Sequence, residues 1–271
     1  MDDAIGAVLE RLRNLGIADN TVVIFSGDHG PSVGGKFTSY QRGVRIPCVC
    51  RWKAGIPGGR PIRAVAQTVD LLPTLLDMAG AKVPEDMVVD GQSLLPLMTG
   101  DRTDLLGRDD LYFEFGYTRA VRTDRWKYIA WRPPRSLVGP SQNGQMDTLY
   151  THFGRPIPLD VVQVNLITAS LVTYPHYFDP DQLYDLENDP REQVNLAGRA
   201  EFKGVLRDMK DRLSKYLKTF EAPFPLDTPD PFFASPRYGE LKAAVQSKVS
   251  KERSLWEADM RFIGFEGTER D

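Results

Sequence analysis

The stretch VVIFSGDHGPSVGGKFTSYQRGVRIP, residues 22–47, decides the fold because it joins two apolar segments through a glycine-rich loop. Residues 21–25 and 46–52 are apolar or β-prone, so we predict two buried strands of a parallel sheet. In open α/β sheets, the loops at the carboxyl ends of the strands converge on a crevice that collects functional groups. We therefore look for functional residues in the loop at 26–44.

The segments around this stretch have the periodicity of an α/β protein as far as residue 108. We predict an amphipathic helix at 2–15, a second helix at 68–78 and a shorter one that starts near residue 93. From residue 109 onward the pattern changes. The predicted elements there are a hairpin of 120–123 with 127–131, a strand at 182–186, a long helix at 200–220, a proline-dense segment at 221–236 and a polar helix at 240–260.

These patterns divide the 271 residues into an α/β part at 1–108, an α+β subdomain at 109–220 and a tail at 221–271. The formal net charge of −3 gives no electrostatic footprint for nucleic acid. No apolar run approaches the length of a membrane span, and the N-terminus lacks the layout of a signal peptide. We interpret Cys48 and Cys50 as two small buried residues of a strand.

Asp28 and His29 follow the first predicted strand directly, and Gly27 and Gly30 on either side allow a tight turn. A carboxylate beside an imidazole can form half of a divalent metal site. The alternative is a turn-capping aspartate next to a surface histidine. Two adjacent ligand-type residues are a weak motif, so the spacing alone leaves both interpretations equal.

Lys36 follows the pair Gly34-Gly35, eight residues after Asp28. A lysine on such a loop can neutralise a tetrahedral anion as a point charge, although a solvated loop lysine is the ordinary alternative. Arg45 is a second candidate for binding the anion, with packing of the loop as its alternative.

Seven segments, taken in order, closely resemble the sulfatase family of the alkaline-phosphatase superfamily. The family has Tyr-Glu-Gly-Gly where this chain has Tyr-Gln-Arg-Gly at 40–43. The similarity spans about residues 2–220, and so many ordered matches are a far stronger signal than any one motif. The segments are DNTVVIFSGDHGP (19–31), GKFTSYQRGVRIP (35–47), RWKAGIPGG (51–59), VDLLPTLLDMAG (69–80), DGQSLLPL (90–97), RAVRTDRWKYI (119–129) and LYDLENDPREQVNL (183–196).

The resemblance implies a fold and a reaction. The fold would be the C-terminal part of an alkaline-phosphatase-like α/β core sheet, followed by a smaller α+β subdomain with a short antiparallel sheet and a long helix. Sulfatases hydrolyse sulfate esters with a formylglycine nucleophile, made from Cys or Ser in a C-x-P-S/A-R motif, while Ca²⁺ holds the sulfate. By position, Asp28 and His29 would be metal ligands, Lys36 a catalytic and sulfate-binding residue, and Arg45 a substrate-binding residue.

The chain departs from the family in one large respect, because no C-x-P-S/A-R motif occurs in it. The Asp-Asp metal pair and the nucleophile of the family belong to an N-terminal half, and Asp2 and Asp3 instead open a helix. We therefore expect a C-terminal portion with half of a metal site, which is unstable and gives no turnover unless an N-terminal fragment completes it.

The expected substrate is a sulfated small molecule or a sulfated sugar, and a complementary N-terminal half is a possible partner. Two alternatives stay open: a phosphodiesterase or phosphonate hydrolase of the same superfamily, and a non-catalytic remnant. Family members work in the periplasm, the lysosome or outside the cell, but no targeting segment in this sequence indicates which. We assign no function to His152 and His176, and we place the aromatic residues Trp126, Tyr128 and Trp131 in the core.

Overall fold

A computed structural model provides the structure. The residues that it describes are 1–31, 34–62, 64–101, 108–134, 149–152, 154, 156–157, 169–227, 229 and 231–262. The helices among them are α1 (Asp2–Asn14), α2 (Gln41–Val44), α3 (Leu71–Met78), α4 (Leu95–Thr99), α5 (Ala169–Thr173), α6 (Lys203–Leu217) and α7 (Pro236–Phe262). The strands are β1 (Val23–Ser26), β2 (Cys48–Arg51), β3 (Leu111–Phe115), β4 (Thr118–Arg122), β5 (Trp126–Trp131), β6 (Leu149–Tyr150), β7 (Pro156–Ile157) and β8 (Asp181–Asp185).

The chain forms two compact units. The first unit consists of Met1–Asp28 and Ile46–Leu111, and the second of His29–Arg45 and Tyr112–Asp271. The loop that follows β1 therefore belongs to a different unit from the strands on either side of it. The division into domains at 108 and 220 stays a prediction.

The prediction of two buried parallel strands is wrong for β1 and β2. The two strands pair antiparallel, with Val23 opposite Arg51 and Ser26 opposite Cys48. Parallel strands need a crossover of a dozen or more residues, usually with a helix, and the length of the connection permits one. Its described residues contain only the four-residue helix α2. An apolar run indicates a strand but carries no information about its direction.

The strands β1 and β2 are also less buried than predicted. Val49 is 61% exposed and Phe25 is 38% exposed. Cys48 is exposed and Cys50 is half-buried, so their interpretation as two small buried residues is wrong. Burial and the neighbouring Cys48 raise the pKa of the Cys50 thiol.

In the first unit, the buried carboxylate of Asp70 fixes the start of α3. It accepts hydrogen bonds from the backbone nitrogens of Gln67 (2.7 Å) and Gln92 (2.9 Å), and Arg108 donates to both of its oxygens at 2.6 and 3.0 Å. Burial alone would raise the pKa of Asp70, but the hydrogen bonds from Arg108, Gln67 and Gln92 outweigh it and lower the pKa. The predicted helix at 68–78 is confirmed as a 3₁₀ turn that continues into α3.

The second unit contains an antiparallel sheet with the strand order β3-β4-β5-β8. Thr118 of β4 lies opposite Trp131 of β5, and Trp126 of β5 lies opposite Asp185 of β8. The predicted hairpin, the strand near 182–186 and the long helix are confirmed by β4–β5, β8 and α6. The mixed α/β fold with a short antiparallel sheet and a long helix is likewise confirmed.

Two apolar clusters cover the two faces of this sheet. Met209 and Leu213 of α6 pack with Tyr128 and Leu183 on one face. On the other face Trp131 packs with a group of buried aromatic side chains and with α7, which buries Tyr238, Leu241, Val245 and Val249. Tyr128 and Trp131 are fully buried, so their predicted placement in the core is confirmed, whereas Trp126 is only partly buried and packs against its cluster from outside.

His152 is a core residue of the second unit. It is fully buried, its ring stacks on Tyr177 at 3.7 Å between centroids, and its Nε2 donates to the Tyr177 carbonyl at 2.6 Å. Burial lowers the pKa of His152 to about 3. His176 is half-buried and its Nδ1 lies 2.8 Å from Asp179. In the described part of the chain, no helix is long and apolar enough to cross a membrane.

Candidate functional site

The described residues of the loop, 29–31 and 34–45, fold back on each other in the second unit. The backbone nitrogen of Gly30 donates to the carbonyl of Gly43 at 2.9 Å, and Lys36 N donates to Pro31 O at 3.0 Å. The hydroxyl of Thr38 donates to Gly35 O at 2.7 Å. A Cβ at residue 43 would lie 2.4 Å from Gly35 O, so any side chain there would force the backbone to shift. Gly30, Gly35 and Gly43 are therefore needed, because backbone atoms lie where a side chain would begin.

His29 opens this loop, and the carbonyl of Gly30 sets its tautomer. The Nδ1 of His29 lies 2.6 Å from Gly30 O, and a carbonyl can only accept, so Nδ1 carries the proton. In the neutral ring the lone pair is then on Nε2, which is the arrangement found in metal-binding histidines. Asp28 is exposed and is the last residue of the first segment of the first unit, directly before the loop enters the second unit.

Lys36 is half-buried, and its ammonium lies 5.3 Å from the centroid of the Phe37 ring. Phe37 has a φ of +67°, which is unusual for a bulky residue. Its ring lies 5.9 Å from that of Phe115. Strained backbone of this kind persists only where the surroundings fix it, and it clusters at functional sites.

Arg45 lines a cavity of about 370 Å³ in the second unit. Burial lowers the pKa of the neighbouring Arg122, an effect that Asp124 opposes and that the positive charge of Arg45 reinforces. Neither His29 nor Lys36 is among the described lining residues, so Lys36 and Arg45 do not share this cavity. The lining consists of Gln41, Arg45, Arg122, Asp124, Arg125, Leu186, Glu187 and Pro190.

No sequence motif indicates the residues that hold the loop in place. Tyr40 is fully buried, stacks on Tyr174 with 3.6 Å between centroids, and donates its hydroxyl proton to Gln182 at 2.7 Å. The backbone nitrogen of Gln41 donates to the buried carboxylate of Glu192 at 2.7 Å. Lys127 in turn lies 3.1 Å from Glu192. The sequence held one signal of this contact, because the alternation of β5 places Lys127 on the same face as Ile129 and Trp131 and therefore in the core.

The described residues do not fit a calcium ion by themselves. Among them, no group of three or more His, Cys, Asp or Glu side chains lies close enough to hold a metal. Calcium takes six to eight oxygen ligands, whereas Asp28 and His29 amount to two candidate ligands, one of them a nitrogen.

The first 81 residues of the chain match the family model described as Sulfatase. The ulvan-active sulfatase of Formosa agariphila is 33% identical over 210 residues, which are 74% of this chain and 38% of that relative. The chain belongs to the sulfatase family.

Other sulfatases extend the similarity to most of the chain. Human steryl-sulfatase is 29% identical over 262 residues, 86% of this chain and 40% of that protein. A solved protein in complex with its substrate D-glucosamine-2-N,6-O-disulfate shares the fold, with a TM-score of 0.58 and 23% identity over 83% of this chain and 40% of that one. This sulfatase-family chain therefore spans about 40% of the length of the relatives it matches.

Proposed function

We propose that this chain takes part in the metal-dependent hydrolysis of sulfate esters. The observation that carries the proposal is the position of Lys36. Lys36 is half-buried, and its ammonium lies 5.3 Å from the centroid of the Phe37 ring, on a loop whose glycines and hydrogen bonds fix the backbone. Because the chain belongs to the sulfatase family, the reaction that this lysine would assist is the hydrolysis of a sulfate ester.

Lys36 is proposed as the catalytic and sulfate-binding cation. Hydrolysis of a sulfate ester leaves negative charge on the sulfate and on the departing oxygen, and a fixed ammonium lowers the energy of that charge. The effect is larger at a partly desolvated position than in water, because the effective dielectric constant is lower there. Arg45 is proposed to bind a further anionic group of the substrate.

Asp28 and His29 are proposed as two ligands of a Ca²⁺ ion. The exposed carboxylate of Asp28 and the Nε2 lone pair of His29 support this assignment. The remaining ligands would have to come from outside the described residues, and the formylglycine nucleophile from outside this sequence, which contains no C-x-P-S/A-R motif.

A sulfated sugar is proposed as the substrate. The ulvan-active relative and the fold neighbour with a bound glucosamine disulfate support this class, whereas human steryl-sulfatase represents a different one. Arg42 and Arg45 are both exposed on the loop, and exposed arginines suit a ligand that carries several anionic groups.

The test is turnover of 4-nitrophenyl sulfate by a chimera. The 271-residue chain is joined to the parts of the ulvan-active sulfatase that the match leaves out, and the nucleophile of the relative is matured to formylglycine. We expect hydrolysis that a calcium chelator abolishes. We also expect Lys36→Ala to lower kcat/KM by about 100-fold or more, the typical effect of removing one group that stabilises developing charge.

Lys53→Ala is the matched control, because Lys53 is an exposed lysine of the first unit paired with Asp19 at 3.0 Å. It should leave the rate unchanged. Equal rates for the two variants would rule out the role of Lys36. A sulfated disaccharide, a steroid sulfate and a phosphonate monoester as parallel substrates decide the class, and preference for the phosphonate would overturn the proposal.

A further inference from the structure

A buried ion pair holds the loop at Gln41. The Lys127 ammonium of β5 lies 3.1 Å from Glu192 Oε1, and the two side chains are 0% and 1% exposed. The other oxygen of Glu192 accepts the backbone N–H of Gln41 at 2.7 Å, and Lys127 Nζ lies 3.4 Å from the Gln41 side-chain oxygen. The pair therefore contacts both the main chain and the side chain of Gln41.

The backbone of Glu192 has an unusual conformation, which places this carboxylate beside Lys127 and Gln41. Its φ of +57° is in the left-handed region, which glycine or asparagine usually occupies. Asp189 fixes the turn, since its carbonyl accepts from Glu192 N at 3.1 Å and its carboxylate accepts from Gln193 N and Val194 N at 2.7 and 2.8 Å. Filling space in the core would require neither a glutamate at this position nor a left-handed backbone conformation.

A buried ion pair is not by itself evidence of stabilisation. Burial raises the pKa of Glu192 and lowers the pKa of Lys127, even though each charge favours the other. The direction of each pKa shift means that the free energy lost when the group leaves water exceeds the free energy gained from the opposite charge. Buried pairs of this kind can often be replaced by apolar residues without loss of stability.

The contact at Gln41 is connected to Lys36 by short, closed hydrogen-bonded turns. Gly43 N and Val44 N donate to Tyr40 O, and Gly43 O in turn accepts from Gly30 N. Thr38 bonds back to Gly35, the residue before Lys36. These bonds provide a route through residues 35–44 from Gln41 to the backbone that carries Lys36.

We propose that Lys127 and Glu192 are positioning residues for the reaction assigned to Lys36, because they fix Gln41 and through it the loop at 29–45. The inference rests on the proposed function for its catalytic part. Displacements of about 1 Å at a reacting group cost about 100-fold in rate, so a remote anchor of this kind controls kcat.

Two charge-free double variants separate positioning from stability. Lys127→Met with Glu192→Gln retains an amide oxygen that can accept from Gln41 N. Lys127→Met with Glu192→Leu removes the acceptor at a similar side-chain size. We expect both to melt within a few degrees of the parent chain, since neither leaves a buried charge unpaired.

Amide hydrogen exchange of the 271-residue chain is the first readout. In the leucine double variant, the amides of Gln41, Gly43 and Arg45 should exchange at least tenfold faster, while Leu183 N and Leu196 N stay as protected as in the parent. The glutamine double variant should restore most of the protection. Unchanged loop protection, or equal loss in both variants, would overturn the proposal. So would a parallel loss at Leu183 and Leu196, which would mean that the pair stabilises the whole unit.

The chimera with sulfatase activity provides the second readout. We expect the leucine double variant to lower kcat by tenfold or more with a smaller change in KM, and the glutamine double variant to recover it to within about threefold. Hydrogen exchange needs no turnover, so failure of the proposed reaction leaves the anchoring of the loop testable. Loss of loop protection together with an unchanged kcat would overturn the positioning role alone.

Discussion

The burial of the strands β1 and β2 and of the loop between them is the opposite of what their hydropathy predicts. Val49 in the apolar segment is 61% exposed, whereas Thr38, Ser39 and Tyr40 in the polar, glycine-rich loop are 6% exposed or less. The loop finds partners in the second unit for its backbone, its hydroxyls and its aromatic ring, among them a hydrogen bond of 2.9 Å from Ser39 to Thr118. Burial therefore follows the availability of matched partners more closely than it follows the hydropathy of a segment.

The largest expected effect is at Tyr40, the centre of this contrast. Tyr40→Ala removes a fully buried ring and should lower the free energy of unfolding of the second unit by about 3–5 kcal/mol. Phe25→Ala is the matched control on β1, where the side chain is 38% exposed, and should cost about 1 kcal/mol or less. Urea denaturation followed by near-UV circular dichroism measures both. Similar losses for the two variants would contradict the contrast.

Gly43→Ala should have the next largest effect, about 1–3 kcal/mol, because its Cβ would lie 2.4 Å from Gly35 O and 2.7 Å from Thr38 O. Gly6→Ala is the control with the same chemistry. Gly6 is in α1 with no atom within 4 Å of the added Cβ among the described residues, so the substitution should stabilise the helix by about 0.5–1 kcal/mol. Thermal melts of the two variants should therefore shift in opposite directions, and a shift in the same direction would mean that the loop backbone can relax.

The smallest expected effect is a pH dependence from His152, whose ring lies 6.0 Å from that of Tyr40. Its pKa falls from an ordinary 6.5 to about 3, because protonation would place a charge in the core and its Nδ1 has no hydrogen-bond partner among the described residues. The unfolded chain then binds the extra proton below pH 6.5, so stability decreases as the pH falls from 6.5 towards 3. Between pH 6.5 and 5 the loss is at most about 2 kcal/mol.

Denaturant titrations at pH 7, 6 and 5 measure this dependence in the parent chain, in His152→Gln and in the control His176→Gln. The slope should flatten in His152→Gln, because of the two variants only this one removes the histidine that is fully buried in the core. A slope that persists in His152→Gln would show that other groups carry the pH dependence.

Much of the local structure followed from the sequence, because helix and hairpin patterns depend on neighbours within a few residues. The apolar stripe of α6, the alternation in β4 and β5 and the turn after β8 are examples. The glycines of the loop and the candidates Asp28, His29, Lys36 and Arg45 were also visible as motif positions, although the roles of these four residues stay proposals.

The tertiary structure alone decided the direction of β1 against β2, the exposure of Cys48 and the burial of the loop. It also decided that Lys127 contacts Glu192 and that both contact Gln41. In the sequence, Lys127 and Glu192 are 86 and 151 positions away from Gln41. Strand direction and long-range ion pairs depend on where distant segments pack, and no local periodicity encodes that. The sequence by itself therefore determined the elements and the family, whereas packing determined which polar groups are buried and what they hold in place.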